Sequence, residues 1–273
     1  MAAVTAVPTA PARTPAARGP LALGLHATRY ELRAMARNPR ARFFTVAFPV
    51  LLLVIFGSIF GDERTTVNGV EVTLTRFYVP GIIAMTVVTS CFVALINSVV
   101  TRRQQGLYKR RRGAPIPPWT MVAGAAISTT AIAAGSAALL LVIGKAAYGV
   151  GVSAQTLAAV AITVLVGALA CCAIGFAVAA FIPSPDAAQP ITQAVVFPLY
   201  FLSGIWFPTD GMPAALDTAA HVFPVAHLAD ALHQAFIEGT LAPGDLAVLA
   251  LWGVLGTLVA TRRFSWLPSR ANG

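Results

Sequence analysis

Six stretches of this chain are apolar for long enough to cross a bilayer as helix, roughly 43–60, 77–100, 119–143, 157–182, 191–207 and 243–260. The 18 residues from Phe43 to Phe60 reach about 27 Å at the helical rise, close to the thickness of the hydrocarbon layer. Pro49 within that run predicts a kink of a kind membrane helices tolerate. Between the first two runs, Val67, Val70, Val72 and Thr73 flank Asn68-Gly69, the pattern of a small β-hairpin. Between the last two, Thr209 to Ala242 is broken by Pro213, Pro224 and Gly239 into pieces too short to span, which predicts re-entrant or interfacial half-helices. Near the start, Leu21 to Arg37 sets Leu21, Leu25, Leu32 and Met35 against Arg29, Arg33 and Arg37. That fits a helix lying in the headgroup layer or a solvated basic helix, ended by Asn38-Pro39. The flanks, 1–20 and 264–273, read as cytoplasmic tails, the first disordered. The expected fold is an all-α membrane protein. One domain, 21–263, holds an interfacial helix, six transmembrane helices and external half-helices between the fifth and sixth.

Composition agrees: 57% of residues are hydrophobic and only 11% charged, against about 25% charged in soluble domains. The spans use up the length, so no soluble catalytic domain fits. Charge then orients the bundle. The loop between the second and third runs holds Arg102, Arg103, Lys109, Arg110, Arg111 and Arg112. Leaving all six among lipid tails would cost on the order of 15–20 kcal/mol, so the loop stays in water and, by the positive-inside rule, in the cytoplasm. With six spans, 16 of the 19 Lys and Arg residues fall on that side and eight of the ten acids fall outside. A seventh span over 209–242 would put Arg262, Arg263 and Arg270 outside, against the rule. Both termini are therefore expected in the cytoplasm, with Trp206 as an interface anchor. The net charge of +9 sits at span ends, where it meets anionic lipid. Exposed aromatics interleaved with basic patches, as a nucleic-acid surface needs, are absent.

Within the second run, Thr86, Ser90, Asn97 and Thr101 keep to one helix face. They would line a transport path or hydrogen-bond between helices. Thr192, Gln193 and Phe201 in the fifth run are the other path candidates. Cys91, Cys171 and Cys172 lie in apolar runs without metal-ligand spacing and read as small packing residues. His227, Asp230 and His233 recur every three residues, so a metal site is geometrically possible. A polar face of an external half-helix at the mouth of a pathway is the other reading. No H-E-x-x-H accompanies them, and there is no G-x-x-x-x-G-K-[ST] to hold ATP. The spans carry no carboxylate away from their ends, which disfavours an ion-coupled transporter. That class, a channel, and a membrane metallo-enzyme built on His227, Asp230 and His233 stand as the alternatives.

In order along the chain come Arg37-Asn38-Pro39 before Phe48-Pro49, then Tyr78-Val79-Pro80-Gly81, then Arg103-Gln104-Gln105-Gly106-Leu107-Tyr108-Lys109-Arg110 with Ala114-Pro115-Ile116-Pro117. Phe201-Leu202-Ser203-Gly204-Ile205-Trp206-Phe207-Pro208 follows, then Met212-Pro213 and Phe223-Pro224. This ordered set resembles the ABC-2 type transporter permeases, most closely the bacterial drug-exporter group that includes the daunorubicin/doxorubicin resistance permease. The resemblance implies a type V exporter-like, six-helix subunit of the bacterial inner membrane. It would pair with a second permease copy and dock two copies of a separate ATP-binding subunit, which would hold ATP and Mg; this chain would hold no cofactor or metal and catalyse nothing itself. It implies docking through Glu31, Arg33 and Arg37 and through Gln105, Gly106, Leu107, Tyr108, Lys109, Arg110, Arg111 and Arg112. The chain departs from the family pattern at Gln104, where an acid is usual, and at Arg111, where a leucine is. The cargo of such a subunit would be amphipathic or hydrophobic, since the interior offers few charges.

Overall fold

The computed structural model describes residues 43–61, 63–67, 69–106, 118–209 and 212–263, with Thr28, Arg29, Arg33, Arg37 and Pro39 before them. Both tails, most of the 21–37 helix including Glu31, and Leu107, Tyr108, Lys109, Arg110, Arg111 and Arg112 lie outside the described residues.

Helix α1, Phe43–Phe60, opens with a π-helical turn, Phe43–Ala47. The irregularity precedes the predicted proline. Pro49 has no N–H to give the Thr45 carbonyl, which instead accepts from Ser136 Oγ at 3.4 Å. A hairpin follows as expected, β1 (Arg64–Val67) antiparallel to β2 (Val70–Thr73). Gly69, at φ 78, supplies the left-handed residue its turn needs.

The second apolar run is longer than predicted. Helix α2, Leu74–Gln104, has 31 residues and a π turn at Thr89–Ala94. Every residue from Phe77 to Val88 is buried, so this half of α2 is the axis of the subunit and is packed on all sides, as a central helix is. Around it stand α3 (Pro118–Tyr148), α4 (Ala154–Ala179) and α1. Ser153 caps α4 by accepting from the Thr156 N–H at 3.0 Å. Helix α8, Pro243–Arg263, lies along α4. It buries only Leu249 and Gly256 and turns Leu251, Val254, Leu255 and Leu258 outward, the face a lipid-exposed helix presents.

Among the described residues five helices are long and apolar enough to cross a membrane, within α1, α2, α3, α4 and α8. The fifth predicted span, 191–207, is not one of them. The helix there, α5 (Pro185–Leu202), starts six residues early at the Ser184 cap and stops before Gly204, at φ 71. Asp186, Gln189 and Gln193 make its first half polar.

The broken segment folds as two short helices, α6 (Ala214–His221) and α7 (Pro224–Ile237). Neither is long enough to cross, as expected from Pro213, Pro224 and Gly239. What the sequence did not foretell is how deeply α7 packs. Leu228, Leu232 and Phe236, one helical turn apart, are fully buried, and α7 lies against α2, α4 and α8.

Candidate functional site

Three polar regions line up along α2: a cap near its first residues, a stripe around its middle, and an arginine at its last turn.

The cap is held by histidines, each with its own partners. His227 Nδ1 lies 2.7 Å from Asp245 Oδ1, and its Nε2 lies 2.9 Å from the His221 carbonyl. Asp230 meets His221 Nε2 at 2.9 Å, while His221 Nδ1 meets the Asp217 carbonyl at 2.9 Å. His233 is buried, with Nδ1 2.8 Å from the Ala229 carbonyl, Nε2 3.2 Å from the Phe77 carbonyl, and its ring stacked on Phe77 at 4.7 Å. The three residues the sequence put forward as a possible metal set therefore diverge. Among the described residues no group of three His, Cys, Asp or Glu side chains is placed to hold a metal. Nor is His233 part of an exposed polar face: it pins α7 to the start of α2. Asp217, His221 and Asp245 were not among the sequence candidates, although the i,i+4 spacing of Asp217 and His221 was a legible signal.

These environments move two histidines in opposite directions. Burial works against the charge on His221, but the Asp217 carbonyl and the Asp230 carboxylate outweigh it and its pKa is raised. Burial likewise raises the Asp230 carboxyl, against the pull of His221. Desolvation lowers His233 to about 4, despite its bonds to the Ala229 and Phe77 carbonyls. A raised histidine stabilises the fold below its unfolded value and loses that contribution as pH rises through the folded one. A lowered histidine costs stability as pH falls, for His233 from the ordinary 6.5 toward about 4. The cap is thus expected to loosen on both sides of a window. A spin label on Thr218→Cys should gain mobility as pH rises above the ordinary histidine value of 6.5 in the parent and show no such change in His221→Gln. The acid-side loosening should survive that substitution.

At mid-helix the stripe does not face an open path in this packing. Thr86 is fully buried and donates to the Ile82 carbonyl at 2.8 Å; Asn97 donates to the Val93 carbonyl at 2.8 Å. Thr192 on α5 is buried and donates to the Ala188 carbonyl at 2.8 Å. Each of these polar groups is satisfied by its own helix. Ser90 Oγ is buried without a hydrogen-bond partner among the described residues. The bond between helices is made beside the stripe, where Thr89 Oγ1 and Tyr200 Oη are 3.0 Å apart and Tyr200 also donates to the Met85 carbonyl at 3.3 Å. Both Thr89 and Ser90 lie in the π turn of α2, a distortion frequent at functional sites. Helix α5 therefore has two faces. Ala188, Thr192, Val196 and Tyr200 are buried, while Gln193, Phe197 and Phe201 are exposed. Phe201 is stacked with Phe207. Of the path candidates, Thr86, Ser90 and Thr192 lie inside the subunit, and Gln193 and Phe201 lie on its surface.

Two of the sequence motifs meet at the first turns of α2. Phe56 of α1 packs on Tyr78 at 4.8 Å and edge-on to Trp206 at 5.5 Å. Gly81 lies so close to the Ile205 carbonyl that an added Cβ would be 2.6 Å from its oxygen.

At the other end, α2 stops where Gly106 takes φ 66 and donates its N–H to the Arg103 carbonyl. Gln105 beside it is exposed; Arg33 and Arg37 are also exposed. Arg103, expected in the solvated loop, is instead buried at 4% exposure, with Nη1 donating to the Ala179 carbonyl at 3.0 Å and Nη2 to that of Ile182.

The family model described as "ABC-2 type transporter" matches residues 25–237. The probable multidrug ABC transporter permease YbhR of Escherichia coli (strain K12) is 26% identical over 179 residues, 66% of this chain and 48% of that protein. The chain therefore spans about half the length of that relative. The inner membrane transport permease YadH of Escherichia coli (strain K12) is 24% identical, over 82% of this chain and 85% of YadH. Nodulation protein J of Rhizobium leguminosarum bv. viciae is 29% identical, over 79% of this chain and 83% of that protein.

Proposed function

The chain belongs to the ABC-2 type transporter family, and from that premise we propose that it is the permease subunit of an ATP-driven exporter in a bacterial inner membrane. In this reading α5 is the fifth of six spans, both termini lie in the cytoplasm, and α6 and α7 form the external cap. Two copies of a separate ATP-binding subunit dock on the basic loop, Gln105 to Arg112, and on the helix carrying Glu31, Arg33 and Arg37. A second permease copy covers the exposed face of α5, where Gln193 and Phe201 would border the path. Thr86, Ser90 and Asn97 would join it only when α5 moves away from α2. The cargo is amphipathic or hydrophobic. ATP and Mg belong to the partner, and hydrolysis there shifts the permease between two packings by contacting them differently.

The observation that carries this reading is the family match over 25–237, which takes in the basic loop and all but the last helix. The printed names of YbhR and YadH as permeases support it. Co-expression with a candidate ATP-binding subunit should yield a complex that moves an amphipathic dye across reconstituted vesicles only with ATP. Dye movement by this chain alone in ATPase-free vesicles would sink the proposal in favour of an ion-coupled carrier or channel. Orientation has its own check. In intact cells, a membrane-impermeant maleimide should reach neither Tyr108→Cys nor Arg262→Cys, against a low background because Cys91, Cys171 and Cys172 are buried. Labelling of either position would invert the topology.

A further inference from the structure

The last carbonyls of an α-helix have no partner within it and carry the negative end of its dipole. At the end of α4, the Ala180 and Phe181 N–H groups turn back to the Ala177 and Val178 carbonyls, and the next carbonyl, Ala179, is taken by Arg103 together with that of Ile182. The planar fork of a guanidinium suits two carbonyls at once, and Arg103 gives one Nη donor to each. Arg103 therefore fastens the last turn of α2 to the last turn of α4. Three residues later α2 ends at Gly106, and the chain enters the basic loop. At its middle α4 meets the cap: Gly167 is so close to Leu228 of α7 that an added Cβ would lie 2.4 Å from Cδ1. Along its length it lies against α8.

We propose that Arg103 is a positioning residue for energy coupling, making the last turn of α2, from which the basic loop departs, and the adjoining end of α4 move as one body, so that displacement of that turn is carried through α4 to the cap. This rests on the reading that the loop docks an ATP-binding subunit.

The test uses the reconstituted complex of permease and ATP-binding subunit. Arg103→Lys keeps the charge but cannot fork to two carbonyls; it should assemble and melt near the parent, keep ATP turnover within about twofold, and move at least about tenfold less dye per ATP. Arg103→Ala should couple less still. A parent-like ratio of dye to ATP in a folded Arg103→Lys complex would overturn the proposal and leave Arg103 as a helix cap only. A fall in ATP turnover, dye movement and melting temperature in proportion would do the same. Distance measurement does not depend on the alanine variant folding. Spin labels on Gln105→Cys and Phe181→Cys, both exposed, should hold one separation in nucleotide-free and vanadate-trapped states, and two in Arg103→Lys. A change of several ångströms in the parent would overturn the idea. ATP-independent transport by the lone chain would strike the underlying function, a result distinct from all of these.

Discussion

Gly256→Leu is expected to detach α8 and leave a permease that inserts but does not survive extraction. A Cβ at Gly256 would lie 2.7 Å from the Ile174 nitrogen and 2.8 Å from the Ala173 carbonyl carbon. Both are backbone atoms of α4, so nothing can rotate aside. One turn earlier, Gly253 is again against backbone, with an added Cβ 3.4 Å from the Ala170 Cα. Lipid tails are as apolar as leucine, so no hydrophobic force draws α8 back once this close contact is lost. Gly256→Ala already separates the helices and should cost about 1–3 kcal/mol, a fall in melting temperature of roughly 5–10 °C in detergent. The leucine variant should elute as aggregate. Gly167→Ala is the comparison, since the atom it meets is a methyl of the Leu228 side chain, which can shift, and its effect should be smaller. A monodisperse Gly256→Leu protein with the parent melting curve would mean that α8 is not held along this seam.

The second large effect is expected at the first turns of α2. Gly81→Val drives a side chain into the Ile205 carbonyl, part of a turn in which Ser203, Gly204 and Ile205 are buried. The turn has no slack, because Gly204 already occupies φ 71. It must therefore lift from α2, taking Trp206 away from Phe56. Unlike the α8 seam this leaves the helix pairs intact, so the protein should purify, melt somewhat lower, and show red-shifted emission from Trp206 in a background lacking the other three tryptophans. In the proposed complex with an ATP-binding subunit, dye movement should fall by at least about tenfold, on the order of 1.4 kcal/mol or more in barrier terms. Unchanged Trp206 emission together with unchanged transport would show that the close approach of Gly81 to Ile205 has no functional weight.

Particular residues show where the sequence was legible. Pro49 marked an irregular helix, and the irregularity is a π turn just ahead of it. Asn68-Gly69 marked a hairpin, and the strands pair with Val67 opposite Val70. Pro213, Pro224 and Gly239 marked two short helices where a longer apolar count might have been forced into a span. The fifth run was less legible: its length implied a crossing, but Asp186 and Gln189 joined Gln193 in the helix once Ser184 set its start. The motifs Tyr78-Val79-Pro80-Gly81 and Ser203-Gly204-Ile205-Trp206 were visible separately; nothing in their order said that they touch.

The chain by itself determined which segments leave water and which stay in it. Transfer between water and lipid is close to a sum over neighbouring residues, and turn chemistry is local as well. Tertiary structure alone decided the partners of the polar groups that remain. Arg103 was counted with the solvated loop and is buried against α4. His227, Asp230 and His233 share a helix but answer to Asp245, His221 and Phe77. Thr86, Asn97 and Thr192 turn back on their own helices while Thr89 and Tyr200 make the crossing bond. A buried donor must be matched by whichever acceptor the packing brings within about 3 Å, and that neighbour belongs to a helix whose position depends on the whole bundle.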